Sequence, residues 1–455
     1  MKISGTAIVC DHDVDFELEG DNVVFNCNFN ELEKLTSAKR DEHGNLYFDG
    51  SEHINETYIK GKTTNGRFIY FYVAMSSVDC FRARIICNLY SYYISKFEFS
   101  CNAITIYGGD ISIIVRNYNE HNINPSKDSI VISFKSNKTY HDVTFKDKTK
   151  IKFACYDSFI TRSRDKNPIE YVGVIQLIIP ATGNIKDFFD YIELSRQFVS
   201  YLCFRKDIVF DKVLLGTYNN KTRRVTNEGE YYICNNPEII SVSSIKNKRF
   251  IPFNLINRKT STIIRMIKDN RLYMHHLRDG HKRIHSISGG DVVTLTAGFE
   301  YEFDASKIRI PPKPKVKAQI EYLLSRYNSI LRSDKINSFG RSTVKNAKKH
   351  IDDLMLETKL NWFFKNIPAA FTSAIEKIYK YRDLVFKASE AARRISDARN
   401  NFAHGLIKNN FSIEIIYDFL VLEMILYFIQ LKRVGITDDD AYLCVCLLFN
   451  LDPDL

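Results

Sequence analysis

The chain has 455 residues, 45% of them hydrophobic and 13% aromatic, which predicts two or three separately folded domains rather than a single ordinary core. Its 64 Lys and Arg against 54 Asp and Glu leave a formal net charge of +10, a moderate excess that favours a polyanionic partner. Ten cysteines (Cys10, Cys27, Cys80, Cys87, Cys101, Cys155, Cys203, Cys234, Cys444, Cys446) form no C-x-x-C pair, so no zinc knuckle or disulfide framework is written in the spacing.

Met1 to Thr6 carries no apolar signal-peptide core, and with the unpaired thiols this predicts a reduced, cytoplasmic protein. Up to about residue 165 the pattern has period two. Val14, Phe16 and Leu18 alternate with acids, and apolar runs recur at Phe68 to Val73, Ile104 to Tyr107, Ile111 to Val115 and Ile130 to Phe134. Gly44-Asn45, Asn65-Gly66 and Gly108-Gly109-Asp110 supply turns between them. Many short strands at such intervals predict an antiparallel sandwich or barrel. A strand over Tyr171 to Ile179 then runs into an amphipathic helix from Asn184 to Leu202, followed by a strand over Asp207 to Leu215. Beyond it the spacing suggests a helix near Ser261 to Leu277 and a β-like run from Asp291 to Phe303.

The proline cluster at residues 308–315 forbids a helix across it and is the expected boundary between a β-rich part, 1–307, with a subdivision near 165, and a helical part, 316–455. Val316, Ile320, Leu323, Leu324, Tyr327 and Leu331 line one predicted helix; Val344, Ala347, Ile351 and Leu354 line a second. A third is expected from Pro368 to Ala403. Ser412 is placed to cap a fourth, Ile413 to Arg433, and Thr437 with three aspartates opens a fifth. Glu414, Asp418 and Glu423 interrupt the greasy stretch of the fourth, so it reads as a core helix and no membrane partner is expected. The fold class is thus multidomain α+β: an antiparallel, β-rich, sandwich-like N-terminal domain followed by an all-α bundle.

Near the end of the third helix stands Ala398-Arg399-Asn400-Asn401-Phe402-Ala403-His404-Gly405. An Arg offers a permanent cation for charge that builds on a phosphate under attack, and a His titrates near neutral pH and moves protons both ways. Extending the stripe from Ala392 and Ile395 lands on Arg399 and Phe402. On an ideal helix His404 lies about 140° around from Arg399, whereas Asn400 and His404 share a face. Either the helix ends near Gly405 and frees His404 to turn, or the site combines residues from two chains; a glycine at that place suits the first.

Arg399-Asn400 and His404-Gly405 in a C-terminal helical bundle resemble the R-x4-6-H signature of HEPN ribonucleases. The layout, with the strand-flanked helix Asn184 to Leu202, resembles the ApeA group of bacterial anti-phage HEPN proteins. That resemblance implies a homodimeric, metal-independent endoribonuclease without cofactor, gated by the N-terminal domain and acting in abortive infection. RNA, with tRNA or another structured RNA as candidates, would be the substrate and a phage protein the trigger. Attack by the 2′-hydroxyl would leave a 2′,3′-cyclic phosphate and a 5′-hydroxyl. His404 would be general acid or base, Arg399 would stabilise the phosphorane, and Asn400 would orient one of them.

Other features have plainer readings beside the chemical ones. Arg399 could instead pair with a bundle carboxylate such as Glu423. The basic run over residues 311–350, with Arg341, Lys345, Lys348 and Lys349 as candidate RNA-binding residues, is equally a solvated face. Tyr273, His275 and His276, with His281 and His285 one helical turn apart, invite a metal site, but no H-E-x-x-H pattern is present and no metal is expected. Cys444 and Cys446 suit core positions. The 32 Phe and 26 Tyr mostly fit core, with some in the β-rich part suited to a recognition surface. The rival function is a non-catalytic binding protein whose bundle only dimerises.

Overall fold

The computed structural model of the protein describes residues 2–9, 12–20, 22–26, 39–40, 46–47, 57–75, 81–90, 100–116, 121–125, 130–134, 138–161, 169–233, 249–280, 287–311, 314–333, 336–349, 355–404 and 411–451. The turn expected at Gly44-Asn45 falls outside them. Packing divides the chain into two compact units, Met1–Leu272 with Leu277–Ile284, and Tyr273–His276 with His285–Leu455.

The first unit is built on antiparallel pairing, as the period-two pattern requires. Lys2–Val9 and His12–Glu19 pair in full register, with Val14, Phe16 and Leu18 inward and the intervening acids outward. Thr57–Thr63 and Phe68–Met75 join at the Asn65-Gly66 turn, where Gly66 takes φ 86°. Phe81–Leu89 pairs with Phe68–Met75 on one side and Asn22–Phe25 on the other, closing a ring of six strands. The sandwich-like expectation thus takes the form of a barrel-like ring continuous with a sheet. Phe16, Phe25 and Phe71 fill it, with ring centroids 5.1 to 6.5 Å apart. A Cβ on Gly5 would fall 2.1 Å from the Lys62 carbonyl oxygen, so only glycine allows those two strands to close.

From Phe81–Leu89 the same sheet continues through Arg224–Ile233, Lys212–Asn219, Cys101–Tyr107, Ile169–Thr182 and Lys150–Thr161 to His141–Thr144. One face is covered by α1 (Gly109–Ile114) and α2 (Ile185–Cys203). Asn184 caps α2, accepting from the Lys186 amide at 3.1 Å, and Phe198 packs on Phe153 at 5.1 Å. Ile111 to Val115, expected as a strand, falls in α1 and the turn after it. A five-residue apolar run does not distinguish the two, and here it lies on Gly173, where a Cβ would meet the Ser112 backbone at 2.2 Å. Two short helices follow, α3 (Phe253–Ile256) and α4 (Thr260–Lys268); α4 ends well before the Leu277 expected for it.

The second unit is helical: α5 (Gly289–Ala305), α6 (Pro314–Leu331), α7 (Ser338–Lys349), α8 (Leu356–Asn366), α9 (Ala369–Lys380), α10 (Ala388–Ala403), α11 (Ile413–Val434) and α12 (Asp438–Phe449). The run Asp291 to Phe303, expected as β, is the body of α5. Val292, Leu295, Phe299 and Phe303 recur at helical spacing and are buried, and Ser288 with Asp291 forms a capping box at its start. The packing division therefore lies ahead of the prolines at 308–315. Pro314 itself opens α6, where its missing amide costs no helical hydrogen bond.

The single helix expected from Pro368 to Ala403 is two, α9 and α10. Residues 381–387 break it, with Asp383 at φ 56° and Phe386 pinned against Phe364 and Tyr379 at 5.4 and 5.2 Å. The expected caps are in place: Ser412 accepts from Ile415 and Thr437 from Asp440 at the starts of α11 and α12. Cys444 and Cys446 are buried in α12. Among the described residues no helix is long and apolar enough to cross a membrane.

Candidate active site

The site is set by how α10 is held. Ala391, Ala392, Ile395 and Ala398 are buried where α10 packs against α8, α5 and α11. The buried stripe thus passes through Ala398 rather than Arg399, which stands at its border and is half-exposed. One helical turn beyond Ala398, Phe402 completes the stripe. Its ring lies 5.3 Å from Phe411 and against Gly289, at the first turn of α5, where a Cβ would come within 2.5 Å of it. Phe402 therefore fixes the end of α10 just before His404.

A buried ion pair anchors the middle of the same helix. Asp418 on α11 is fully buried and accepts from Arg394 Nε at 2.6 Å, from Arg394 Nη2 at 2.9 Å and from the Tyr379 hydroxyl. Burial raises the Asp418 carboxyl, while its hydrogen bonds to Arg394 and Tyr379 oppose that rise. Burial and the neighbouring carboxylate push the Tyr379 hydroxyl far up, so it stays a donor. Such a pair orients α10 on α11 through planar, bidentate geometry. The pairing of a bundle arginine with a carboxylate thus occurs at Arg394 and Asp418.

Arg399 is placed differently. Its Nη1 donates to Asn400 Oδ1 at 3.2 Å, and among the described residues it meets no carboxylate at ion-pair distance. Asn400 is exposed. His404 is also exposed and is the C-cap of α10, with φ −97° and ψ 10°; its amide donates to the carbonyl of Asn400 at 3.1 Å. The helix stops at Ala403, so His404 is not bound to the position an ideal helix would give it. Arg399 and Asn400 are in contact; His404 joins them through backbone, and its ring lies in solvent. Gly405 is outside the described residues.

On α7, Arg341 and Lys345 are exposed and Lys348 is half-exposed, its Nζ donating to Asn328 Oδ1 of α6 at 2.7 Å. Arg341 donates to the Ser333 carbonyl at 3.4 Å. The side chain of Lys349 lies outside the described residues. Among the described side chains of α6 and α7 none is buried, and Phe339, on α7, is 79% exposed. The His275–His285 cluster is split. His276 is buried between Tyr273 and Tyr427, with ring centroids at 6.0 and 5.3 Å, whereas His281 and His285 fall outside the described residues. Among the described residues no three His, Cys, Asp or Glu side chains group as a metal site would require.

The residues that sequence reasoning missed are structural supports: Asp418, Tyr379, Arg394, Phe402 and Gly289. Asp418 carries the clearest signal, because a carboxylate inside the most apolar helix of the chain needs a partner.

No curated protein and no solved structure matches the chain. The family model described as Apea-like HEPN matches residues 314–440, a span that contains α6 to α11 and with them Arg399, Asn400 and His404. Over residues 314–440 the chain is thus similar to the Apea-like HEPN family.

Proposed function

We propose that the protein is a metal-independent endoribonuclease of the HEPN type, acting in anti-phage defence as a homodimer, with Arg399 and His404 as its catalytic pair. The observation that carries this reading is the contrast within α10: Arg394 is neutralised by a buried carboxylate, whereas Arg399, inside the matched family span, meets no carboxylate among the described residues and precedes the exposed His404 by five positions. The guanidinium is then available to a phosphate.

In this mechanism the ribose 2′-oxygen attacks the adjacent phosphorus while His404 takes its proton. The bond to the 5′-oxygen breaks, and that oxygen gains a proton from a second acid, supplied by His404 of the second copy. Arg399 stabilises the charge on the five-coordinate phosphorus. Asn400 holds the guanidinium through its side-chain oxygen. Arg341, Lys345 and Lys348 line an exposed cationic face on α7 suited to RNA phosphates, Lys349 extending the basic run in sequence. The β-rich unit acts as the gate that releases cleavage on contact with a phage trigger.

The test is cleavage of total RNA in EDTA by the intact protein and by Arg399→Ala and His404→Ala variants of unchanged melting temperature, with phage-infected lysate as the source of trigger. Each substitution is expected to lower the rate about 10²-fold or more, and a substrate lacking the 2′-hydroxyl at the cleaved position should survive. Identical RNA patterns from wild type and variants would favour the non-catalytic reading, in which the bundle serves to dimerise.

A further inference from the structure

The sheet of the β-rich unit has a second face, turned away from α1 and α2, and it is unusually rich in tyrosine. Strand pairing fixes which residues share it. Tyr156 lies opposite Val174, Val174 opposite Tyr107, and Tyr107 opposite Lys212 on consecutive strands. Phe153, three positions from Tyr156, packs on α2 through Phe198, so Tyr156 projects to the other side. Gln176, Thr105, Leu214 and Glu230 follow one another across the same face.

Hydrogen bonds and ring contacts extend the row. The Tyr140 hydroxyl donates to Gln176 Oε1 at 2.5 Å, and its ring lies 6.1 Å from that of Tyr218. Tyr90 and Tyr232 both donate to the carboxylate of Glu230. Five tyrosines, Tyr90, Tyr107, Tyr140, Tyr156 and Tyr218, therefore stand half-exposed on one sheet face, while Tyr232, on the same side, packs against the core of the six-stranded ring. A sheet facing water on that side would ordinarily alternate to charged or small polar residues, not to a row of rings.

Lys138 gives this row its chemistry. Its ammonium sits 5.1 Å from the centroid of Tyr140 and 4.9 Å from that of Tyr156, half-buried between the two rings. Among the described residues it has no carboxylate at ion-pair distance; Glu230, the acid in the row, is taken by Lys212 at 3.0 Å and by two tyrosines. Burial holds the Lys138 ammonium below its ordinary pKa, as expected of a cation that has lost water without a counter-ion among the described residues. An anion arriving there would supply what the rings cannot.

We propose that this tyrosine face binds a single-stranded nucleic acid, with a phosphate seated at Lys138 and unstacked bases laid on Tyr140, Tyr156 and Tyr218. Rings flanking a cation with no carboxylate partner among the described residues match the alternation of base and phosphate along one strand, and any base can stack because every base has a flat face. A duplex keeps its bases stacked inside and offers only phosphates. The site is separate from Arg399 and His404 and does not depend on their being catalytic.

The experiment uses the intact protein and a fluorescein-labelled oligothymidine of about 15 nucleotides, long enough to span such a row and immune to 2′-hydroxyl chemistry. A 2′-O-methyl oligouridine arm separates RNA from DNA preference, and a blunt duplex is the control. Anisotropy should show single strands binding about tenfold or more tighter than duplex, with Lys138→Glu weakening them about tenfold and Lys138→Arg restoring most of the loss. Photo-cross-linking through 5-bromodeoxyuridine should label peptides containing Tyr140, Tyr156 or Tyr218. The proposal is overturned if a folded Lys138→Glu or Lys138→Gln protein binds as the wild type does. It is also overturned if no single strand binds at low salt, or if cross-links fall only within residues 285–455.

Discussion

Two arginines five residues apart on α10 differ in what surrounds them, and that difference separates stability from chemistry. Arg394 meets Asp418, a carboxylate with no access to water. Removing one partner of a buried pair leaves the other charged and unsatisfied, so Asp418→Ala should lower unfolding free energy by about 3 kcal/mol, read from urea denaturation. Arg399→Ala, at a half-exposed position with no carboxylate partner among the described residues, should change it by less than about 0.5 kcal/mol. A stability loss at Arg399 as large as that at Asp418 would contradict this assignment of roles. The buried thiols make a second residue-scale case. Burial pushes Cys101 up to about 12 and raises Cys87 and Cys155 well above their ordinary value. A thiol reacts as its thiolate, so at pH 8 these three should resist alkylation in the native protein and label only on unfolding, as peptide mass spectrometry would show.

At the scale of elements, the end of α10 rests on the start of α5 through Phe402 and Gly289. Gly289→Ala would set a Cβ within 2.5 Å of the Phe402 ring and force that ring, two residues before His404, to move. Overpacking of this kind costs about 1 to 3 kcal/mol, and RNA cleavage at a temperature where the variant is folded should fall by more than stability alone explains. Unchanged cleavage with lowered stability would separate Phe402 from the site. These supports explain what the sequence made legible. Period two disclosed the antiparallel strands, caps disclosed the starts of α11 and α12, and the spacing of Arg399 and His404 in sequence pointed to the family whose model matches the bundle. It did not disclose α5, whose β-branched and aromatic run imitates a strand locally and becomes helical because Val292, Leu295, Phe299 and Phe303 find a helical core. Nor did it disclose the break between α9 and α10, which depends on Phe386 being held by Phe364 and Tyr379 from elsewhere in the chain. Local pattern reports local preference, and tertiary contact overrules it at such places.

For the whole molecule, the two compact units are not two consecutive stretches of sequence. Tyr273–His276 belongs to the helical unit, where the Tyr273 amide donates to Glu302 at 2.7 Å and its carbonyl accepts from Gln430 at 2.8 Å. Glu302 is fully buried and also receives Arg433. A fragment starting at residue 316 would lose α5 and this segment together, depriving Gln430 of Tyr273 and Glu302 and Arg433 of Glu302. It should melt earlier and less cooperatively than one beginning at residue 270, by calorimetry, and equal melting would mean the bundle is complete without them. The backbone passes from one body to the other at 272, returns at 276 and crosses again at 284. Grafting the helical body onto a foreign partner by a splice after residue 284 would therefore sever the four-residue stitch; a splice ahead of Tyr273 keeps it, but must bring along Leu277–Ile284, which belongs to the other unit.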